Sequence, residues 1–185
     1  ISHAGFILVG VEAAGHDAGE LALGDGMPSV LTYLLVYSVL TVGSFAVVAL
    51  VGRNNGGDTS LDAFKGLAKR RPALALGLTV FLLAQAGVPL TSGFVAKWGV
   101  IQAAVAEESY AIALIAMIAA VVAAFLYLRI MVSTWLEPSD ESTTQEAVPY
   151  ATGLAVTLAA AFTVFVGVWP NWLLDAAESV TQYAR

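Results

Sequence analysis

The sequence predicts an all-α integral membrane protein, a polytopic bundle of transmembrane helices. Of its 185 residues 58% are hydrophobic and only 12% are charged, whereas soluble domains carry roughly 25% charged residues. The charges are also unevenly placed, because three windows at 26–52, 109–128 and 147–174 contain none. Each window reaches the ~20 apolar residues that a helix needs to cross the hydrocarbon core, and none alternates polar and apolar residues as a barrel strand does.

Six helical segments follow from this pattern, and together they form a single integral membrane domain over 1–185. The first segment begins at Ile1 without a basic leader region or cleavage site. We therefore interpret the chain as the C-terminal portion of a longer protein. The predicted segments are approximately 1–11, 29–52, 73–86, 92–106, 109–135 and 148–172.

The interval 73–106 contains Gly87, Pro89 and Gly93, the residue types that a helix tolerates least. As one helix this interval would be about 51 Å long, which is too long for one span. Division near Gly87–Pro89 gives either a tight hairpin of two short helices or one helix interrupted within the bilayer. Backbone that leaves helical geometry at membrane depth must be buried in protein or line a polar cavity. Either arrangement puts Lys97 next to a packed or hydrated interior.

The charges of the loops predict the orientation of the chain in the membrane. Residues 53–71 hold five of the eight basic residues, whereas 12–25 and 137–146 each hold four acidic residues and no Lys or Arg. The positive-inside rule places 53–71 in the cytoplasm and 12–28 outside. Within 53–71, the run SLDAFKGLAKRR is either a short interfacial helix or a solvated basic loop.

Several classes of function are disfavoured by composition. The chain has no cysteine, which removes disulfides, thiolate metal sites and cysteine nucleophiles, and its two histidines do not form a metal site. A net charge of −6 argues against nucleic acid as a partner. The sequence also lacks a nucleotide-binding loop, a nucleophile triad and a redox-cofactor motif, so no redox chemistry is expected in this chain.

Lys97 is the residue that most clearly indicates a function. An ionisable group at the bilayer centre costs about 2.5–3.5 kcal/mol on insertion scales, so its presence there requires pairing, a water channel or a function. Burial favours the neutral amine, which lets a buried lysine exchange a proton near neutral pH, whereas arginine cannot do so. The structural alternative is that Lys97 lies near an interface and extends its ammonium to water while its stem packs.

His3, Tyr33 and Tyr37 are weaker candidates for a polar pathway. His3 lies in an apolar segment, and the ordinary pKa of a histidine lies in the physiological range, so it is a possible relay. Tyr33 and Tyr37 begin a polar stripe along the second helix. The alternative for all three is hydrogen bonding between packed helices. The remaining members of the stripe are Ser38, Thr41 and Ser44.

At these residues the chain resembles the antiporter-like membrane subunits of respiratory complex I. ISHAGFILVG resembles their SSISHAG(F/Y) segment, and FLYLRIMV their FYLRVI-like run. The family's segments between these two are matched in the same order by LTYLLVYSVLTVGSFAVVALVG and DAFKGLAKRRPALALGLTVFLLAQAGVPLTSGFVAKWGVIQAAV. The resemblance therefore covers essentially the whole chain. The lysine of the GF-x-x-K motif is typical of the N-type bacterial subunits, since M-type subunits carry glutamate there.

The resemblance implies a proton-translocating bundle of two repeated halves, each with a broken helix and a key charged residue. This chain would be the second half, with Lys97 on the broken helix and His3 on a hydrated polar axis. It would be a non-redox subunit of a proton-translocating NADH:quinone oxidoreductase in the bacterial plasma (inner) membrane, surrounded by lipid and other membrane subunits. NAD, FMN, iron–sulfur clusters and quinone would be bound by partner subunits, with no cofactor and no metal in this chain.

Two other functions fit the same residues. The chain could belong to a multisubunit monovalent cation/proton antiporter, whose subunits share the fold and are driven by ion gradients. It could also be a membrane scaffold without transport activity, in which Lys97 only reaches an interface. Co-purifying partners discriminate the first alternative, and a solvent-exposed Lys97 would favour the second.

Overall fold

The structure, a computed structural model, describes residues 1–15, 26–138 and 147–183. Every regular element within these ranges is helical, which confirms the predicted all-α fold. The α-helices are α1 (Ser2–Ala14), α2 (Gly26–Asn54), α3 (Leu67–Arg70), α4 (Pro72–Ala86), α5 (Ser92–Ala106), α6 (Tyr110–Leu136), α7 (Tyr150–Val168) and α8 (Asn171–Tyr183), and a 3₁₀ helix spans Leu61–Phe64.

Three of the described helices, α2, α6 and α7, are long and apolar enough to cross a membrane. Helix α6 has the most apolar outer surface, since large side chains such as Val121 and Phe125 are 72% and 68% exposed. Such a surface is unfavourable in water, whereas lipid chains or neighbouring apolar helices cover it. The bundle is therefore polytopic, as the composition predicts.

Helices α4 and α5 form one interrupted span and not a hairpin, as their contacts with α2 show. Phe81 of α4 lies against Gly43 near the middle of α2, whereas Gly99 of α5 lies against Ser29 near its start. These contact points are about 21 Å apart along α2 at 1.5 Å per residue. In a hairpin, positions 81 and 99 would lie at one level, because they are at similar distances from the turn. The predicted interruption is confirmed, and α4 and α5 run end to end, antiparallel to α2.

The prediction of one unbroken helix over 148–172 is wrong, because α7 ends at Val168 and α8 begins at Asn171. Pro170 causes the division, since it has no backbone N–H and disfavours helical geometry at the residue before it. The N–H groups of Leu173 and Leu174 bond to the Pro170 carbonyl and start the new helix. At their other ends, the predicted segments differ from the observed helices by no more than three residues.

Between α2 and α4 the chain forms a compact loop that contains the 3₁₀ helix and α3. The Arg70 guanidinium donates hydrogen bonds to the carbonyl oxygens of Ala63 and Lys65, at 3.2 and 2.9 Å. Lys65 forms ion pairs with Asp62 at 2.6 Å and with Glu137 beyond α6 at 3.5 Å. The run SLDAFKGLAKRR thus contains two short helical turns, an arrangement between the two predicted alternatives.

Most of the two acidic loops lies at 16–25 and 139–146, outside the described residues. The charge asymmetry between these loops and 53–71 is the basis of the predicted orientation. That orientation therefore remains a prediction.

Candidate functional site

The C-terminal end of α4 leaves two backbone carbonyls without a partner from its own helix. Gly87 follows the helix in the left-handed region, with φ of 89°. Its N–H bonds to the carbonyl of Ala84 at 2.9 Å, and the N–H of Val88 also bonds back into the last turn, at 3.0 Å. This Schellman arrangement satisfies two of the terminal carbonyls. The carbonyls of Gln85 and Ala86 remain open toward the interior.

Lys97 of α5 supplies the donor for both of these carbonyls. Its Nζ donates hydrogen bonds to the carbonyl oxygens of Gln85 at 2.7 Å and Ala86 at 3.1 Å, and lies 5.1 Å from the centre of the Phe6 ring. Lys97 is only 6% exposed, and no carboxylate of the described ranges forms a salt bridge with it. The negative end of a helix dipole and an aromatic face therefore stabilise the ammonium in place of a counter-ion.

Close backbone packing holds the start of α5 beside the end of α4. Gly93 touches the carbonyl group of Ala84 so closely that a Cβ there would overlap it, and a Cβ at Gly167 of α7 would likewise overlap the backbone of Leu90. Leu90 has φ of 68°, a conformation that residues with a side chain rarely adopt. The break is thus a fixed structure, defined by neighbouring backbone on two sides.

His3 of α1 is the centre of a second polar cluster. Its Nδ1 lies 2.9 Å from the hydroxyl of Tyr33, and its Nε2 lies 2.9 Å from the hydroxyl of Tyr127. Tyr37 stacks on the imidazole, with ring centres 4.6 Å apart and an interplanar angle of 22°. The cluster therefore joins α1, α2 and α6 through one buried side chain.

The burial of Tyr33 assigns the tautomer of His3. Tyr33 is 1% exposed, and among the described residues Nδ1 of His3 is the hydrogen-bond partner of its hydroxyl. A buried hydroxyl needs an acceptor for its hydrogen, so Tyr33 donates to Nδ1. The imidazole hydrogen then lies on Nε2 and is donated to Tyr127, which is partly exposed. The hydroxyl of Tyr127 is left free to donate to water.

A cavity of about 450 Å³ extends from this cluster to the end of α4 and to the 53–71 loop. We call it the loop cavity. Within it, Nε2 of Gln85 donates a hydrogen bond of 2.6 Å to the hydroxyl of Ser44. The polar side chains that line the loop cavity are Ser2, His3, Tyr37, Thr41, Ser44, Thr59, Gln85 and Tyr127.

A second cavity, of about 510 Å³, lies at the opposite end of α2. We call it the break cavity, because Pro89 and Leu90 of the helix break line it, together with Thr32 and the turn between α7 and α8. The hydroxyl of Thr32 is buried and has no hydrogen-bond partner in the described ranges. Lys97 lines neither cavity, but Gln85 lines the first and Ala96 the second, so that Lys97 lies between them.

The predicted site residues thus occupy two neighbouring places. Tyr33 and Tyr37 both contact His3, whereas Lys97 lies at the break, with its stem beside Gly87. Pro89 lines the break cavity, and Gly93 packs against the carbonyl group of Ala84 at the break. Among the described residues, no direct hydrogen bond joins Lys97 to the His3 cluster.

Sequence reasoning missed three residues of this site: Phe6, Gln85 and Tyr127. Gln85 and Tyr127 are polar residues in otherwise apolar helices, so the sequence alone could have indicated them as candidate site residues. Phe6 gives no such signal, because an aromatic residue in a membrane helix is unremarkable until its neighbours are known.

Comparison with known proteins identifies the family. The family described as "NADH:quinone oxidoreductase/Mrp antiporter, TM" matches residues 1–126. A curated relative from Streptomyces griseus, named "NADH-quinone oxidoreductase subunit N 3", is 40% identical over 186 residues, which cover 100% of this chain and 32% of the relative. The chain therefore spans about a third of the length of this relative.

Two solved structures have the same fold at low sequence identity. Respiratory complex I from Thermus thermophilus matches with a TM-score of 0.72 and 21% identity, over 96% of this chain and 44% of that chain. The Mrp complex from Dietzia matches with a TM-score of 0.78 and 20% identity, over 95% of this chain and 39% of that chain. Since the family match covers more than half of the sequence, the chain belongs to the family of membrane subunits shared by NADH:quinone oxidoreductases and Mrp antiporters.

Proposed function

We propose that this chain is part of a proton-translocating membrane subunit of an NADH:quinone oxidoreductase, with Lys97 as its protonatable site. The observation that carries the proposal is a buried lysine without a carboxylate partner in the described chain, held at a helix break between two cavities. A charge in the bilayer interior is costly by about 2.5–3.5 kcal/mol or more. A side chain that only filled space at this depth would be more favourable if it were apolar, because an apolar group avoids this cost.

Lys97 can keep its position whether or not it carries the extra proton. Both the ammonium and the neutral amine have at least two N–H donors, enough for the carbonyls of Gln85 and Ala86. Proton loss therefore changes the charge without removing the helix cap. Because no described carboxylate fixes the charged form, a charge that approaches or withdraws in a neighbouring subunit can shift the balance between the two forms.

Water in the two cavities would connect Lys97 to the two sides of the membrane. The loop cavity leads from the 53–71 side to Gln85 and to the His3 cluster. Imidazole and phenol groups both donate and accept hydrogen bonds, which is what a proton relay requires. The break cavity leads from the opposite side, where the unpartnered hydroxyl of Thr32 provides a site for an ordered water.

In this proposal quinone reduction takes place in other subunits of the complex. The chain acts as a non-redox part of the translocase in the bacterial plasma membrane, and partner subunits bind NAD, FMN, iron–sulfur clusters and quinone. The name of the Streptomyces griseus relative supports this assignment. The TM-score of the Dietzia Mrp complex keeps a cation/proton antiporter as the second candidate.

The test replaces Lys97 in the bacterium that produces the chain and measures NADH-driven proton uptake by inverted membrane vesicles. Lys97→Gln keeps N–H donors for the two carbonyls but cannot titrate, so proton uptake should fall well below the parental rate. Lys97→Arg keeps donors and charge but cannot release a proton at accessible pH, so its uptake should fall as well. Full uptake by both variants in assembled complexes would refute the proposal.

A matched control and a second assay complete the experiment. Lys69→Ala removes an exposed lysine of the 53–71 loop and should pump at the parental rate. NADH–quinone activity of the purified complex separates the two candidates. An antiporter subunit would instead co-purify without this activity and exchange cations for protons in the absence of NADH.

A further inference from the structure

Phe6 lies between the two polar groups of the site. It is one helical turn beyond His3 on α1, so both side chains project from the same face. Its ring stacks on Tyr33 with centres 6.0 Å apart and an interplanar angle of 12°, and Nζ of Lys97 lies 5.1 Å from the ring centre. Phe6 is 2% exposed. The ring therefore fills the space that separates the His3–Tyr33 pair from Lys97.

This ring interrupts the polar pathway, because it offers neither a hydrogen-bond donor nor a strong acceptor. A proton moves along groups about 2.5–3.2 Å apart, and among the described residues no hydrogen bond joins Lys97 to His3 or Tyr33. The other connection to Lys97 runs through the backbone carbonyl of Gln85. A carbonyl only accepts hydrogen bonds, so it holds the lysine but has no proton to deliver.

We propose that Phe6 is the gate between the His3–Tyr33 pair and Lys97, and that the positive charge of Lys97 holds this gate closed. The inference rests on the function proposed above. An ammonium attracts the face of an aromatic ring, whereas a neutral amine does so only weakly. When Lys97 releases its proton to water in the break cavity, the hold on the ring weakens and water can enter from the loop cavity. A proton from the 53–71 side then passes along this water to the neutral amine, each water giving one proton to the next group as it accepts another, so that no hydroxide is left. The new ammonium draws the ring back and breaks the water chain.

The first test compares Phe6→Leu with Phe81→Leu in the intact complex in membrane vesicles. Phe81 is fully buried in the same bundle but packs against Gly43 of α2 and has no ring or cation contact among the described residues. Phe6→Leu should raise the passive proton conductance of vesicles without NADH and lower the number of protons moved per NADH oxidised. Phe81→Leu should change neither quantity. Equal values for the two variants would overturn the gate.

The second test keeps the size of the ring and changes only its charge distribution. Fluorinated phenylalanines, introduced at position 6 by codon suppression, withdraw electron density from the ring face and weaken its attraction for a cation. Passive proton conductance should rise stepwise from monofluoro- to trifluorophenylalanine. An unchanged conductance across this series would refute the charge-dependent hold. Because the ring keeps its size, the series tests the gate even if Phe6→Leu fails to assemble.

The gate and the proposed function fail differently. If Lys97→Gln abolishes proton uptake while every variant at Phe6 behaves like the parent, Lys97 carries protons and the gate is refuted. If Lys97→Gln and Lys97→Arg both take up protons at the full rate, the proposed function is refuted, and the gate with it.

Discussion

Nζ of Lys97 donates a 2.7 Å hydrogen bond to the backbone carbonyl of Gln85, so the lysine of α5 closes the end of α4. Gln85 in turn donates its side-chain amide to Ser44 of α2. The proton-carrying candidate is therefore also a structural residue of the break. Variants of Lys97 must be interpreted with both roles in view, because a loss of proton uptake can follow from either.

The structural role predicts a difference between two neutral replacements of Lys97. Lys97→Gln and Lys97→Met remove the same charge, but only glutamine retains N–H donors for the carbonyls of Gln85 and Ala86. Buried carbonyls without partners cost about 1–3 kcal/mol each, so we expect the methionine variant to be less stable by at least about 1 kcal/mol. The apparent Tm of the purified complex and the amount of subunit in the membrane measure this. A methionine variant as stable as the glutamine variant would show that water replaces the lysine.

Gly93→Ala should prevent the normal packing of the break. The added Cβ would overlap the backbone carbonyl of Ala84, which cannot rotate away as a side chain can. We expect a loss of about 3 kcal/mol or more, at the upper end for overpacking. The control is Gly5→Ala, because a Cβ at Gly5 meets nothing within 4 Å. Membrane levels of the subunit and the thermal stability of the complex should fall for the first variant and stay unchanged for the second.

The tautomer assigned to His3 predicts unequal effects of two tyrosine replacements. Tyr33→Phe leaves the buried Nδ1 without a donor, which should cost about 1–3 kcal/mol. Tyr127→Phe leaves the Nε2 hydrogen without its acceptor, but water in the loop cavity can take its place at a cost of about 0–2 kcal/mol. Thermal unfolding of the complex should therefore rank Tyr33→Phe below Tyr127→Phe. Tyr110→Phe, at an exposed position, is the control, and the reverse ranking would contradict the assigned tautomer.

The orientation can be tested by cysteine labelling, since the chain contains no cysteine of its own. Ser60→Cys lies at an exposed position of the 53–71 loop, and Ala106→Cys at an exposed position at the end of α5. A membrane-impermeant maleimide should label Ser60→Cys only in inverted vesicles and Ala106→Cys only in spheroplasts. The opposite pattern would mean that neighbouring subunits override the positive-inside bias of these loops.

The sequence by itself determined the helical class, the membrane location and the place of the break. These features follow from local physics, because hydrocarbon excludes charged groups and backbone groups without hydrogen bonds. Gly87 and Pro89 interrupt the helix at their own positions, independently of the rest of the chain. The same logic identified Lys97 as the unusual charge. It failed at 148–172, because the apolar composition is continuous across this window and does not show that Pro170 interrupts the helical backbone.

Only the tertiary structure decided which groups meet. Whether α4 and α5 fold back or continue depends on their contacts with α2, and no periodicity in 73–106 encodes those contacts. His3 and Tyr127 are 124 residues apart, and Phe6 separates His3 from Lys97 only because α1, α2 and α5 pack around it. A sequence pattern specifies which side chains must be buried. The partner of each buried group is set by close packing between distant segments, which acts through space and leaves no local trace in the chain.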